Sequence, residues 1–253
     1  MQSPPPTVAH AAAEIKRLTG IERKPSQVRK FLKQLGMKPR KMGALPAKAD
    51  PEVQQEFLEQ KLEPQLEQAI AGVRAVFFVD ASHFVLGSFL GIVWCFARLF
   101  VKAPSGRQRF NVLGALNAIT KEVTTVCNDT YITSLQVCAL LDQLRAQNVG
   151  LPITVVLDNA RYQRCALVEV HARRLSIDLL FLPSYSPNLN LIERFWKYVK
   201  KDCLYCKYYP SFAEFKQAIS VCIQHAPLQH ETELHSLLTL RFQTFPHSTA
   251  AAA

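Results

Sequence analysis

The segment SYSPNLNLIERFWKYVKK, Ser184 to Lys201, begins as a loop and continues as a basic, aromatic helix. It contains one carboxylate, Glu193, close to the expected start of that helix. Upstream, the apolar runs AVFFVD and ITVVLD each end in an aspartate, Asp80 and Asp158. The fold and the function both depend on whether these three carboxylates come together.

The pattern from residue 73 onwards is that of an α/β domain. The run VRAVFFVD is continuously apolar and rich in β-formers, which predicts a strand buried on both faces. Further strands are expected over FLGIVWCFARLF, GRQRFNVLGALNAIT, EVTTVCND, LPITVVLD and SIDLLFLP, and helices over residues 131–147, 160–175, 191–204 and 212–222. An antiparallel start followed by parallel crossovers predicts a ribonuclease H-like catalytic domain, a mixed sheet flanked by helices.

The first fifty residues predict a small helical region that precedes this domain. One short helical pattern stops at Gly20, and a second begins at Pro25 and Ser26 and ends at Gly36. Helix, turn and basic helix is the pattern of a helix-turn-helix, although an ordinary amphipathic hairpin fits it equally well. Candidate DNA contacts on the second helix and the basic segment after it are Gln27, Arg29, Lys30, Lys33, Arg40 and Lys41.

Charge divides the chain into regions. The formal net charge is +10, and residues 1–50 hold eleven Lys and Arg against three Asp and Glu. Residues 51–72 are acidic and helical in pattern, and are expected to link the DNA-binding region, 1–50, to the catalytic domain, 73–246. Residues 247–253 are expected to form a disordered tail. The basic balance favours a polyanionic partner such as nucleic acid, although a solvated surface alone can carry such a bias.

Other protein classes are disfavoured. The longest apolar stretch, Phe84 to Val101, contains Arg98 and two glycines and is better explained by two adjacent strands than by a membrane span. The N-terminus lacks the charged and apolar regions of a secretory signal. Seven scattered cysteines, with one CxxC at Cys203 and Cys206 and no second ligand pair at zinc spacing, favour reduced thiols in a cytosolic protein.

The carboxylates suggest metal chemistry. Asp80 and Asp158 are each expected at or just past the carboxyl end of a strand, the edge at which α/β sheets bind ligands. On parallel neighbouring strands the two would lie side by side, which is costly unless a cation neutralises them. Two magnesium or manganese ions roughly 3.5–4 Å apart can activate a nucleophile and stabilise the leaving oxygen of a phosphodiester. Taken singly, each carboxylate, Glu193 included, is as readily a turn residue or a helix cap.

Three segments, FVDASHF, VVLDNARYQ and LPSYSPNLNLIERFWKYVKK, closely resemble transposases of the insertion sequence 630 branch of the mariner-type superfamily. The 34 residues between Asp158 and Glu193 match the spacing of that branch, and the resemblance covers residues 73 to about 245. It implies an Asp-Asp-Glu triad in which Asp80, Asp158 and Glu193 are the metal ligands, with Asn159 orienting a ligand or a phosphate.

The resemblance also implies an activity. Such enzymes bind the inverted repeats at the ends of their element, hydrolyse the phosphodiester there, and join the 3′-hydroxyl to target DNA, usually at TA. A homodimer in the bacterial cytoplasm, associated with the nucleoid and dependent on Mg²⁺ or Mn²⁺, is expected. Relatives usually carry two helix-turn-helix units, whereas residues 1–50 have room for one. A metal-dependent endonuclease without strand transfer, and an inactive DNA-binding remnant, are therefore the alternatives.

Residues flanking the triad have weaker predictions. Basic candidates for DNA contact are Arg107, Arg109, Arg161, Arg164, Lys197 and Lys200. For Lys197 and Lys200 a solvated helix face is an equal alternative. The loop expected to set the catalytic helix contains Tyr185, Ser186, Pro187 and Asn190. Phe195 and Trp196 are expected in the core, and His83 as a packing or surface residue.

Overall fold

The computed structural model describes residues 4–40, 48–87, 95–98, 100 and 108–244. It divides into two compact units, one of residues 1–45 with 246–253 and one of residues 46–245. Most of the predicted strand over FLGIVWCFARLF lies outside the described residues, as do Lys41, Arg107 and the predicted tail.

The first unit contains the predicted pair of helices, α1 (Val8–Thr19) and α2 (Pro25–Gln34). Helix α1 ends at Gly20, whose φ of 70° is a left-handed conformation that glycine adopts without steric cost. Helix α2 begins at a proline, which is tolerated in a first turn because its missing N–H has no partner there. The predicted pair of short helices is therefore confirmed in the structure.

A helical segment precedes the sheet in the second unit. It consists of α3 (Pro51–Phe57), a π-helical turn (Leu58–Leu62) and α4 (Glu63–Ile70). The wider turn lies just before Pro64, whose ring would clash with a carbonyl of a regular helix. The proline therefore widens the helix here without ending it. Apolar side chains from all three parts pack in the same cluster as the sheet.

The sheet is mixed, as predicted. Its strand order is β3-β2-β1-β4-β5, with β1 antiparallel to β2, β2 antiparallel to β3, and β4 parallel to both β1 and β5. An antiparallel meander thus leads into two parallel crossovers, the ribonuclease H-like topology. The strands are β1 (Ala75–Val85), β2 (Arg109–Asn117), β3 (Val123–Asn128), β4 (Ile153–Leu157) and β5 (Ile177–Phe181).

Helices cover both faces of the sheet. Because side chains alternate along a strand, Val76 and Phe78 of β1 join one apolar cluster, while Phe77 and Val79 join the other. The first cluster includes side chains of α3, α4, α7, α8 and α9, and the second includes those of α5 and α6. These helices are α5 (Ser134–Gln147), α6 (Ala166–Arg174), α7 (Ile192–Cys203), α8 (Phe212–Gln229) and α9 (Glu231–Leu237).

Phe195 and Trp196 of α7 are buried, as predicted. Over the described part of the chain, no helix combines the length and apolar character that crossing a membrane requires.

Candidate active site

The parallel pairing of β1 with β4 brings Asp80 and Asp158 to the same level of the sheet. Phe78 pairs with Val156, and the two aspartates each lie two residues further along. Asp158 directly follows β4, as predicted. Asp80, in contrast, lies inside β1 and not at its end, because β1 continues to Val85 in antiparallel pairing with β2. The expectation that Asp80 ends its strand is therefore wrong. The pairing of β1 with β4, however, stops at Phe78, before Asp80.

Glu193 comes to the same place from the other side of the site. A 3₁₀ turn, Pro187–Leu189, leads into α7, and the Glu193 backbone N–H donates to the Asn190 carbonyl at 3.3 Å. Asp80, Asp158 and Glu193 all line one cavity of about 370 Å³. The three predicted carboxylates are thus neighbours in the folded chain, although they are separated widely in the sequence.

The electrostatics of the cavity centre on Asp80. Burial of its carboxyl, the charge of Glu193 and, to a smaller extent, the charge of Asp158 raise the pKa of Asp80 to about 7. A hydrogen bond from the Ala81 backbone opposes this shift in part. Like charges gathered in a half-buried cavity are unfavourable unless a proton or a cation neutralises them.

Asp158 also has a local structural role. One of its carboxylate oxygens, Oδ1, accepts a hydrogen bond from the Ala160 N–H at 2.9 Å, which shapes the turn after β4. The neighbouring Asn159 donates from Nδ2 to the Leu182 carbonyl at 2.6 Å, tying this turn to the chain that leaves β5. These bonds leave the second oxygen of Asp158 for other partners.

Divalent cations fit the chemistry of this donor set. Carboxylate oxygens are the ligands that Mg²⁺ and Mn²⁺ prefer. The Asn190 side-chain Oδ1 in the same cavity is also buried and accepts no hydrogen bond from the described residues. Within those residues, no three His, Cys, Asp or Glu side chains form a closed ligand group for one ion. The carboxylates therefore share a cavity without converging on a single point.

Asn190 connects α7 to the first strand. Its side chain is buried, and Nδ2 donates to the Val79 carbonyl at 3.1 Å, directly before Asp80. This hydrogen bond ties the start of α7, which carries Glu193, to the strand that carries Asp80.

Gln54 of α3 holds the loop before α7, a role that the sequence does not reveal. Its amide Nε2 donates to the Ser186 hydroxyl at 3.0 Å, and its Oε1 accepts from Asn188 Nδ2 at 3.0 Å. Asn188 also donates to the Gln243 carbonyl at 2.8 Å. Gln54 is almost fully buried, in the acidic helical segment that is predicted to link the two domains.

Tyr185 lies on the cavity wall with an unusual backbone. Its φ of 58° is left-handed, which costs energy for a residue with a Cβ. The ring is 54% exposed, and the Lys48 ammonium lies 5.7 Å from its centre. The loop thus presents an aromatic ring on the cavity wall, with the Lys48 ammonium close to that ring.

The structure places the other predicted residues at the surface or outside the cavity. Lys200 is half-buried, with its ammonium 5.7 Å from the Phe84 ring centre, while His83 is exposed and bonds Asn111 at 2.6 Å. Gln27 is exposed but caps α2 by accepting from the Lys24 N–H. The remaining exposed candidates are Arg29, Lys30, Lys33, Arg40, Arg109, Arg161, Arg164 and Lys197.

The sheet order and the carboxylates along its parallel strands define an enzyme of the ribonuclease H-like class. Residues 75–216 match the family model described as DDE superfamily endonuclease. The chain therefore belongs to the DDE endonuclease superfamily. Residues 6–61 match the model of a winged helix-turn-helix. No curated protein matches the sequence significantly.

Solved structures of the Mos1 mariner transposase share the fold. The Mos1 paired-end complex with the left transposon end aligns over 96% of this chain and 82% of that chain, with a TM-score of 0.60 and 11% identity. The Mos1 strand transfer complex aligns over 94% and 80%, with a TM-score of 0.58 and 11% identity. The mariner Mos1 paired end complex with Mg aligns over 95% of this chain and 82% of that chain, with a TM-score of 0.57 and 12% identity. At this level of identity the similarity establishes the fold alone.

Proposed function

We propose that the chain is a DNA transposase of the insertion sequence 630 branch, which cuts the ends of its own element and joins them to target DNA. The observation that carries the proposal is the shared cavity, which is lined by three carboxylates from β1, the end of β4 and the start of α7. Membership of the DDE endonuclease superfamily supports this reaction class.

In this proposal Asp80, Asp158 and Glu193 hold two divalent cations. When bound, such ions activate the attacking oxygen and stabilise the leaving oxygen of a phosphodiester. The chain's own contribution is to gather and orient the carboxylates. Asn190 fixes α7 against β1, and Asn159 fixes the turn that carries Asp158. Because the cavity is open at the Ser184 and Tyr185 side chains, which are exposed, a DNA strand enters there.

The two parts of the chain divide the work in this proposal. Residues 1–50 bind the inverted-repeat ends, and residues 73–246 catalyse cleavage and joining, with TA as the target. Exposed cations supply sequence-independent phosphate contacts; in the first part these are Arg29, Lys30, Lys33 and Arg40, and in the second Arg161 and Lys197, joined by the half-buried Lys200. The active form is a homodimer that acts on chromosomal DNA in the bacterial cytoplasm, because two element ends must be cut and joined together.

The test is a combined cleavage and joining assay. A labelled duplex carrying the DNA that flanks the gene, inverted repeats included, is incubated with the chain, Mg²⁺ or Mn²⁺, and a target plasmid. Labelled ends joined at TA would support transposition. Cutting without joined products would instead indicate an endonuclease, and binding without any cutting would indicate an inactive remnant.

A further inference from the structure

A second cavity of about 400 Å³ lies beside the first. The two share wall residues from the turn after β4 and from the segment after β5, namely Asn159, Leu182, Pro183 and Ser184. A polymer lying in the first cavity can therefore continue into the second. The second is bordered by Leu179 to Phe181 of β5, one of the two edge strands of the sheet.

Among the residues that the structure describes, two cations and no carboxylate line the second cavity. Lys61 is exposed on the π-helical turn, and Arg164 is exposed in the turn before α6. Among the described residues, neither forms an ion pair with an acidic side chain. The local charge is thus uncompensated and would attract an anion.

Arg164 is held in place on two sides. It donates to the Asn159 Oδ1 at 2.8 Å, and its guanidinium carbon lies 5.3 Å from the centre of the Phe181 ring. A guanidinium oriented in this way loses little freedom when its other N–H groups bind phosphate oxygens. Since Asn159 follows Asp158 directly, the same contacts connect this cation to the catalytic turn.

We propose that the second cavity binds a backbone phosphate of the DNA strand next to the phosphodiester being cut, through Lys61 and Arg164. This inference rests on the proposed function and deepens it by assigning the path of the strand outside the carboxylate cavity. The ligand class is a phosphodiester, because the site offers two cations and hydroxyl and amide groups but no acidic partner.

The test measures DNA affinity in EDTA, so that binding is separated from cleavage. Duplexes derived from the flanking DNA carry one neutral methylphosphonate, moved one position at a time around the cleavage site. The proteins are the native chain, Lys61→Ala, Arg164→Gln, the double variant, and Lys207→Ala, which removes one exposed charge elsewhere. Lys61→Ala breaks no hydrogen bond or ion pair among the described residues. It therefore tests the phosphate contact even if Arg164→Gln weakens binding only by disturbing the structure.

The proposal predicts one methylphosphonate position that weakens native binding roughly tenfold but leaves the double variant's affinity unchanged, because the contact is already lost. The salt dependence of DNA binding should also be lower for the double variant, by about one phosphate contact. The proposal would be overturned if the affinity losses from the methylphosphonate and from the double variant add at every position. It would also be overturned if the affinity of the double variant differs from that of Lys207→Ala only by the effect of one further missing charge. Tight binding of an acidic peptide in place of DNA would overturn it as well.

This design separates the two hypotheses. If the losses from the methylphosphonate and the double variant add, while the native chain cuts and joins DNA, only the proposal for the second cavity is rejected. If one methylphosphonate position fails to weaken binding by the double variant, as predicted, but the native chain never cuts DNA, phosphate binding in the second cavity is supported and the proposed catalysis is rejected. A native chain that binds no duplex would reject both.

Discussion

Gly114 of β2 lies opposite Asp80 of β1 and leaves room for the Trp196 ring of α7. A Cβ at position 114 would come within 2.7 Å of Trp196 Cζ2 and 3.1 Å of Ile192 Cδ1. Real side chains essentially never approach so closely, so the helix can pack here because residue 114 has no side chain. The contact sets the distance between the strand that carries Asp80 and the helix that carries Glu193.

Gly114→Ala should therefore lower both stability and activity. Overpacking of this kind costs about 1–3 kcal/mol, and a shift of α7 by about 1 Å can reduce a rate on the order of 100-fold. Thermal unfolding and single-turnover DNA cleavage measure the two effects.

Two further variants show whether the effect comes from the clash. Gly87→Ala is the control, since among the described residues its Cβ would meet only the Val85 carbonyl, at 3.8 Å. Trp196→Phe removes the ring atoms that meet the new methyl group, so combining it with Gly114→Ala should recover part of the lost stability. Equal losses in the Gly87 and Gly114 variants would show that the close packing is unimportant.

Gln54→Leu should reduce cleavage more than it reduces DNA binding. The substitution removes both hydrogen bonds to the loop before α7 and leaves Ser186 and Asn188 without these partners. Groups that only orient a metal ligand typically contribute about 10–100-fold to activity. Gln55→Leu, on the exposed side of the same helix, is the matched control and should leave the cleavage rate unchanged.

Asp80→Asn should stabilise the metal-free chain at pH 8. With a pKa of about 7 against the ordinary 3.8, native Asp80 keeps a proton that the unfolded chain releases, so its contribution to stability falls as pH rises from about 4 to 7. The amide removes this penalty, whose upper bound is about 4 kcal/mol. Urea unfolding in EDTA at pH 4, 6 and 8 tests the prediction, with Glu169→Gln as an exposed control. A gain that is the same at every pH would contradict it.

Mg²⁺ or Mn²⁺ should raise the unfolding temperature of the native chain at pH 8. An ion at about 100 times its dissociation constant stabilises by about 2.7 kcal/mol, which is several degrees for a chain of this size. Asp158→Asn should abolish most of this shift, whereas Glu169→Gln should retain it. A shift that persists in the Asp158 variant would place the cations elsewhere.

The sheet could be predicted because its central strands are buried on both faces. Continuous apolar runs such as ITVVL have few other stable arrangements, and the spacing between them requires crossover helices. The end of β1 could not be predicted. After Asp80 the strand changes to alternating burial, Ser82 and Phe84 in and His83 and Val85 out, and among the described strands only β2 still pairs with it.

The supports of the site were less predictable than the carboxylates. Gln54 bonds side chains 132 and 134 residues away, and nothing in its own segment indicates such partners. The fit of Gly114 against Trp196 also depends on the register of β2, which no local pattern fixes. The three candidate carboxylates could be predicted because each ends an apolar run or begins a helix. The residues that hold them in place depend on tertiary packing.

The most direct test of the central claim compares single-turnover cleavage of flanking-DNA duplexes by Asp80→Asn, Asp158→Asn, Glu193→Gln, the Asp80 and Asp158 double variant, and the Glu169→Gln control. If the three carboxylates act as one unit, each single variant should lose more than ~100-fold, and the double variant should be no worse than either single variant. The control should cut at the native rate. A carboxylate variant that keeps near-native cleavage, or losses that multiply in the double variant, would contradict a shared catalytic site.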